Sequence, residues 1–298
     1  MGSLFGARLQ GAGWAPVLYG LNTDHLQAVA ERGLRVDELD GSQSCWQLRV
    51  CLVPEDIYPP PDAVLILVKS YATGAAVSTI LPYCHDRTVF VTVQNGMGNW
   101  EQIADHVRSD RILAGVTAQA ATMIGPGHIR HGGSGPTVLG ALQDPAPEEQ
   151  TDLIQMFEQA GLEGEGTGQV EDHIWAKLFV NIGINAVTAL TAVPNGWIAA
   201  CAPAREVAEA AVLEAMDVAK ARGNPPPPDT LDRVMRVAQA TKANHSSMLQ
   251  DVQGARRTEV EAINGIVCRW GDECGVSTPV NRVLRNLIQV IEMKNGLE

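Results

Sequence analysis

Three short runs, Leu48–Leu52, Ala63–Val68 and Thr88–Val93, are apolar almost throughout, and stretches of helical periodicity separate them. A strand without a polar face has no side to turn to water. It belongs in a sheet covered on both faces, which means parallel strands with helices packed above and below. With Val17–Tyr19 as a fourth run, the first half of the chain reads as an α/β unit around a parallel sheet. Between Ala114 and Leu139 the texture changes to short strands broken by Gly125-Pro126-Gly127 and by Gly132 to Gly135, which reads as hairpins closing the same domain. A helix from Pro147 to Ala160 then leads into the glycine-rich stretch Gly161 to Gly168, which sets the expected domain boundary between residues 166 and 167.

From Val170 onward helical periodicity dominates. Pro194-Asn195-Gly196 is a stop, the four prolines within Asn224 to Pro228 require a loop, and Thr278-Pro279 is a helix start with proline in the first turn. The second domain, 167–298, is predicted to be all-helical. At 298 residues the chain is long enough for two cores.

The balance of 22 Lys+Arg against 34 Asp+Glu, net charge −12, and the lack of any dense basic cluster argue against a nucleic-acid partner. No run approaches the ~18 uncharged apolar residues of a membrane span, and no secretory signal opens the chain, so a soluble, cytoplasmic protein is expected. The six cysteines contain no C-x-x-C pair and read as reduced thiols. The seven histidines include no helical ligand pair, and no metal is expected. Leu284, Leu287 and Val290 read as exposed apolar positions that would permit a homodimer.

Met1 to Leu9 reads as the opening turns of a helix, followed by Gly11, Gly13 and a strand. A dinucleotide-binding fold has that order, except that its phosphate loop, G-x-G-x-x-G, follows a strand. Here only the last glycine, Gly2, is present, and the start is expected to lie about ten residues late by the spacing of that motif. Because the absent first strand is the central one, a hole in the sheet is expected. Gly2 and Gly6 could equally serve close helix packing alone.

Between Glu171 and Ala192 lies a helix of about six turns with Ile174, Trp175, Leu178, Phe179, Ile182 and Leu190 as apolar members. Taking Lys177 as zero at ~100° per residue, Asn181 falls near 40°, Asn185 near 80° and Thr188 near 20°, on one face. A solvated face is the commoner cause of such a stripe. Asparagine, however, is a poor mid-helix residue, and solvated faces are usually filled with good helix formers. A lone lysine among neutral hydrogen-bonding groups suits a carbonyl oxygen that becomes anionic as hydride arrives.

Four separated motifs then make the chain resemble the ketopantoate reductase family. They are Met1 to Leu9; Val68-Lys69-Ser70 with Gln94-Asn95-Gly96-Met97-Gly98; the helix with Trp175, Lys177, Leu178, Asn181, Asn185 and Thr188, closed by Pro194-Asn195-Gly196; and Ser246 to Asp251 leading to Arg257-Thr258-Glu259 and Ile263-Asn264-Gly265. The resemblance implies a Rossmann-type domain over 1–166 and a helical catalytic domain over 167–298. It implies NADPH-dependent reduction of 2-dehydropantoate to (R)-pantoate, a step towards pantothenate and coenzyme A. By position, Lys177 would be the general acid, with Glu259 orienting it or the substrate hydroxyl. Asn181 and Asn185 would bind substrate oxygens, and Ser247, with Asn244, the carboxylate. Asn95 would sit near the ketone and the cofactor, and Gly2, Ser3, Leu4 and Lys69 would hold NADP(H).

The residues allow local checks. Asn95-Gly96 follows a strand end, where ligands bind in open α/β folds, although a plain Asn-Gly turn has the same sequence. Thr258 and Glu261 read as a capping box that places Glu259 in a first helical turn. Ser247 and Glu259 would stand ~18 Å apart on one unbroken helix, so a break near Gly254 is required. After Val17–Tyr19 the chain reads Gly20-Leu21-Asn22, with no Lys or Arg between Trp14 and Glu31 and no acid at the strand end. NADP is therefore the family default rather than a reading of these residues. Two alternatives stay open at this point: a reductase of another 2-oxo acid or an opine-type dehydrogenase on the same fold, and a binding protein without cofactor.

Overall fold

The computed structural model describes residues 1–21 and 23–297, Thr23 by its backbone alone, so Asn22, considered above in Gly20-Leu21-Asn22, lies outside the described residues. The chain divides into two compact units, Met1–Gln94 with Asn99–Glu171 and Asn95–Gly98 with Asp172–Glu298.

The first unit runs α1 (Gly2–Gly11), β1 (Val17–Tyr19), α2 (Thr23–Arg32), β2 (Leu34–Asp37), β3 (Gln43–Trp46), β4 (Arg49–Cys51), β5 (Ala63–Ile66), α3 (Thr73–Ile80), β6 (Val89–Thr92), α4 (Asn99–Ala104), β7 (Ile112–Thr117), β8 (Ala120–Gly125), β9 (His128–Gly133), β10 (Thr137–Gly140), α5 (Gln150–Gln159) and β11 (Gly164–Gly166). Five strands form the main sheet in the order β11-β10-β7-β6-β5, with β5, β6 and β7 parallel and β10 antiparallel to β7. All four residues of β6 are buried, as a strand with no polar face requires. Val89 and Val91 join a cluster with Phe5 of α1 and Phe157 of α5, while Phe90 joins Val77 of α3 and Ile103 of α4. Alternate side chains thus enter two different layers, and both faces of the sheet are covered.

β1 and β4 pair in parallel as a separate two-stranded ribbon. Yet Val17 and Tyr19 of β1 and Cys51 of β4 share an apolar cluster with Val64 and Ile66 of β5, without ladder bonds between β1 and β5. A further four-stranded sheet, β3-β2-β9-β8, takes in the hairpin over 120–133 and two strands absent from the sequence reading. β2 shows a buried, exposed, buried pattern over only four residues, too short to stand out by periodicity. The glycine-rich stretch 161–168 also proves to hold a strand, β11, parallel to β10. Glycine lets it lie against α5, since a Cβ on Gly164 would sit 2.4 Å from the Ile154 carbonyl oxygen.

The second unit is helical: α6 (Val170–Thr191), whose first two residues group with the first unit, α7 (Gly196–Ala200), α8 (Ala202–Ala221), α9 (Thr230–Ala240), α10 (Ser247–Gln253), α11 (Ile266–Cys274) and α12 (Pro279–Lys294). α6 is its centre. Trp175, Leu178, Phe179 and Ile182 pack with Ala208, Ala211 and Ala215 of α8, and Gly183 admits Val212 and Val234 so closely that a Cβ there would lie 2.6 Å from Val234. By length and composition α6 could cross a membrane, but 61% of its most apolar window is buried inside the protein, as in a core helix. α12 corrects one expectation. Leu284 is buried in this core, whereas Leu287 and Val290 are exposed, because residues 284 and 288 share the inward face of the helix.

Candidate active site

α6 places Lys177, Asn181, Asn185 and Thr188 one turn after another, and the structure decides between a solvated face and a site. Asn185 is 5% exposed and Thr188 is fully buried. The Thr188 hydroxyl bonds back to the Ile184 carbonyl (2.7 Å) and lies 2.8 Å from Ser246 Oγ. The Nδ2 atoms of Asn181 and Asn185 are buried with no hydrogen-bond partner. A buried amide without a partner costs about 1–3 kcal/mol, so a fold keeps two of them in line for a reason other than its own stability.

Glu259 reaches the same region through a break in the helix. α10 ends at Gln253, Gly254 follows as its C-cap, and Ala255 has φ +46°. The break required by the sequence spacing is therefore present. Thr258 Oγ1 accepts the Val260 N–H at 3.1 Å, but the capping box is not closed by Glu261, which pairs with Arg285 and Gln289. Glu292 of α12 replaces it, taking the Thr258 N–H at 2.6 Å. The turn that follows, Glu261–Gly265, is π-helical, a wider winding often found beside functional groups. Glu259 itself is 6% exposed.

The segment Asn95–Gly98, directly after β6, groups with this second unit. The Met97 N–H donates to the Ala262 carbonyl at 2.9 Å, and Asn95 Nδ2 donates to Glu259 Oε2 at 3.3 Å. Gly96 is obligatory. Its φ is +80°, and a Cβ there would lie 2.3 Å from the Ala262 carbonyl oxygen.

Lys177, Glu259 and Asn95 thus form one electrostatic group. Lys177 keeps some surface as a residue, yet its ammonium is desolvated, and this burial lowers its pKa to about 8 against the opposing pull of the Glu259 carboxylate. An ammonium with that pKa is largely charged near neutrality and gives up its proton far more readily than an exposed lysine. Beside two unpartnered amide donors it is equipped to protonate an oxygen and hold an acceptor-rich anion.

Residues 1–144 match the family described as Ketopantoate reductase PanE/ApbA, and residues 169–292 match its C-terminal domain. The chain belongs to the ketopantoate reductase family. It is 36% identical over 292 residues to the 2-dehydropantoate 2-reductase of Halobacterium salinarum, covering 98% of this chain and 96% of that one. The crystal structure of a PanE/ApbA family ketopantoate reductase from Ralstonia eutropha superposes with a TM-score of 0.90 at 29% identity, over 98% of this chain and 95% of that one. A D-mandelate dehydrogenase in ternary complex with NADH and anilino(oxo)acetate superposes at 0.92 over 99% and 96% of the two chains; at 23% identity this likeness concerns the fold alone.

The remaining expected family positions fall as follows. Ser247 is the exposed first residue of α10 and Asn244 is exposed in the loop before it, where its carbonyl accepts the Asn195 N–H at 3.0 Å. In the first unit, Gly2 and Ser3 open α1, half-buried, while the Leu4 side chain is fully buried and leaves only its backbone to contact a ligand. Lys69 follows β5, half-buried, ahead of the turn Ser70–Ala72. Its charge is felt at the start of α1.

A dinucleotide's phosphates fit this donor set. The first turn of α1 carries no acidic residue and no side-chain cap, Ser3 adds a hydroxyl, and Lys69 adds positive charge nearby. The sequence reading missed two contributors. Ser246 caps α10 and lies 2.8 Å from Thr188 Oγ1, and a serine ahead of Met248-Leu249 is the N-cap signal that could have found it. His25, bonded to Ser3, gave no local signal at all.

Proposed function

We propose that this chain catalyses the NADPH-dependent reduction of 2-dehydropantoate to (R)-pantoate, in pantothenate biosynthesis, with 1–166 as the cofactor domain and 167–298 as the catalytic domain. The observation that carries the reading is the buried ammonium of Lys177, with its pKa lowered to about 8 beside Glu259, in line with the unpartnered amides of Asn181 and Asn185.

Lys177 Nζ donates a proton to the substrate's ketone oxygen as that oxygen gains negative charge. Glu259 keeps the desolvated lysine protonated, and Asn95 holds the carboxylate in place through Oε2. Asn181 and Asn185 donate to substrate oxygens, and Ser247 with Asn244 receives the carboxylate. Gly2, Ser3 and the Leu4 backbone hold the cofactor's phosphates, Lys69 neutralises them, and Asn95 borders its nicotinamide end. When bound, NADPH supplies the hydride. A cytoplasmic location goes with this reading, and the exposed stripe Val283, Leu287 and Val290 on α12 supports a homodimer.

The test is NADPH oxidation against a panel of 2-oxo acids, with Lys177→Ala alongside. Expected are 2-dehydropantoate ranking first and a loss of at least ~100-fold in turnover for the variant. Another 2-oxo acid ranking far above it would replace the substrate, and near-normal turnover without Lys177 would remove its role.

A further inference from the structure

Gln94 follows β6 by two residues and is 9% exposed. A buried amide is expensive unless its groups are met, and here both ends are. Nε2 donates to the Val68 carbonyl at 2.7 Å and to Thr73 Oγ1 at 2.9 Å, while Oε1 accepts the Thr92 hydroxyl at 2.9 Å. A carbonyl oxygen can only accept, so the NH2 faces Val68 and the amide has one orientation. The sheet explains its reach. β5 and β6 pair in parallel with Ile66 opposite Thr92, which puts Val68 opposite Gln94, just beyond the last ladder pair. There a side chain, in place of the backbone, takes the strand-end carbonyl.

Val68 and Lys69 share one planar peptide group, so holding the Val68 carbonyl also sets the direction in which the chain enters Lys69. The Lys69 carbonyl in turn accepts the Ala72 N–H at 2.8 Å. Both peptide groups flanking the lysine are thereby held, and its φ of −64° and ψ of 145° lead the chain into the turn Ser70–Ala72. Thr73 and Asn99, buried at the starts of α3 and α4, complete the cluster, Thr73 Oγ1 donating to Asn99 Oδ1 at 3.3 Å. A flexible lysine gives up less freedom on binding an anion when its root is already fixed.

We propose that Gln94 is a positioning residue for cofactor binding: through the Val68 carbonyl it fixes the backbone from which Lys69 reaches the phosphates of the dinucleotide. This role rests on the assignment of Lys69 to NADP(H) in the reductase reading above, and it adds a residue that acts through another. The charge of Lys69 reaches the start of α1, where that reading places the phosphates.

The experiment is a double-mutant cycle on NADPH affinity, read by titration calorimetry, with thermal denaturation beside it. Lys69→Ala should weaken NADPH binding by at least about ten-fold, the worth of a hydrogen bond to a charged group. Gln94→Met, which keeps the length of the side chain but not its amide, should weaken it by about five-fold, as for one neutral bond. In the Lys69→Ala background Gln94→Met should cost nothing further, because its effect passes through the lysine. Thr73→Val removes another bond of the same cluster and leaves the one to Val68, so NADPH affinity should stay within about two-fold even where the melting temperature falls. A glutamine that only stabilised the fold would weaken binding equally with and without Lys69, and that result overturns the proposal. A loss in Thr73→Val as large as in Gln94→Met overturns it too. Where Gln94→Met does not fold, Gln94→Asn, whose amide falls one methylene short of the Val68 carbonyl, takes its place in the cycle with the same two outcomes. Parent affinity in Lys69→Ala removes the lysine's role and the proposal with it. A parent chain that binds no NADPH overturns the reductase reading and the inference together; a parent that binds with an additive cycle overturns the inference alone.

Discussion

Glu259→Gln separates the charge of the carboxylate from its shape. Glutamine keeps an oxygen where Asn95 Nδ2 donates to Oε2, so the local packing survives. What disappears is the negative charge that raises the pKa of Lys177 against desolvation. The lysine acts as an acid, so activity is present below its pKa and is lost as pH rises through it. Starting from a pKa of about 8, roughly 90% of Lys177 is protonated at pH 7 and roughly 10% at pH 9. A fall of one pKa unit leaves roughly 50% and 1%, so the loss grows from about two-fold at pH 7 to about ten-fold at pH 9. The assay is kcat/KM for 2-dehydropantoate against pH, which reports groups of the free enzyme. The alkaline limb should move to lower pH by the same amount in every buffer. A limb that stays in place, with activity reduced by one constant factor throughout, would refute the coupling and leave Glu259 as a substrate contact only.

Two other substitutions probe the site from different sides. Asn185→Leu removes an unpartnered buried amide, so the melting temperature should hold or rise while KM for 2-dehydropantoate increases about ten-fold or more, as for a lost bond to a charged ligand; a lower melting temperature with unchanged KM would make the amide structural. Gly96→Ala combines φ +80° with a Cβ 2.3 Å from a backbone oxygen. It should cost at least about 2 kcal/mol, a drop of roughly 4–8 °C in melting temperature, which thermal denaturation measures directly. An unchanged melting temperature would mean that the Asn95–Gly98 segment is not held against Ala262.

Much of the fold was legible because its signals are local. The apolar runs at 63–68 and 88–93 became β5 and β6, and their almost wholly apolar composition required a two-sided cover that Phe5, Phe157, Val77 and Ile103 provide. β2, β3 and β11 were not legible, being three or four residues long; β2 and β11 are held by pairing to distant partners, as Arg35 with His128 and Val138 with Glu165, and β3 only by its pairing with β2. Leu284 was misplaced for a related reason. Its helix is amphipathic, and which apolar stripe faces inward depends on the neighbour it meets.

The candidate site divides in the same way. Spacing along one helix is a property of the sequence, because 3.6 residues per turn hold wherever the helix sits, so the alignment of Lys177, Asn181 and Asn185 was determined without a structure. Burial and pairing are not, because they depend on atoms brought from elsewhere in the chain. Only the tertiary structure could set Glu259 and Asn95, 164 residues apart, at 3.3 Å and desolvate the Lys177 ammonium until its pKa falls to about 8. It alone left the two asparagine amides without partners and joined His25 to Ser3.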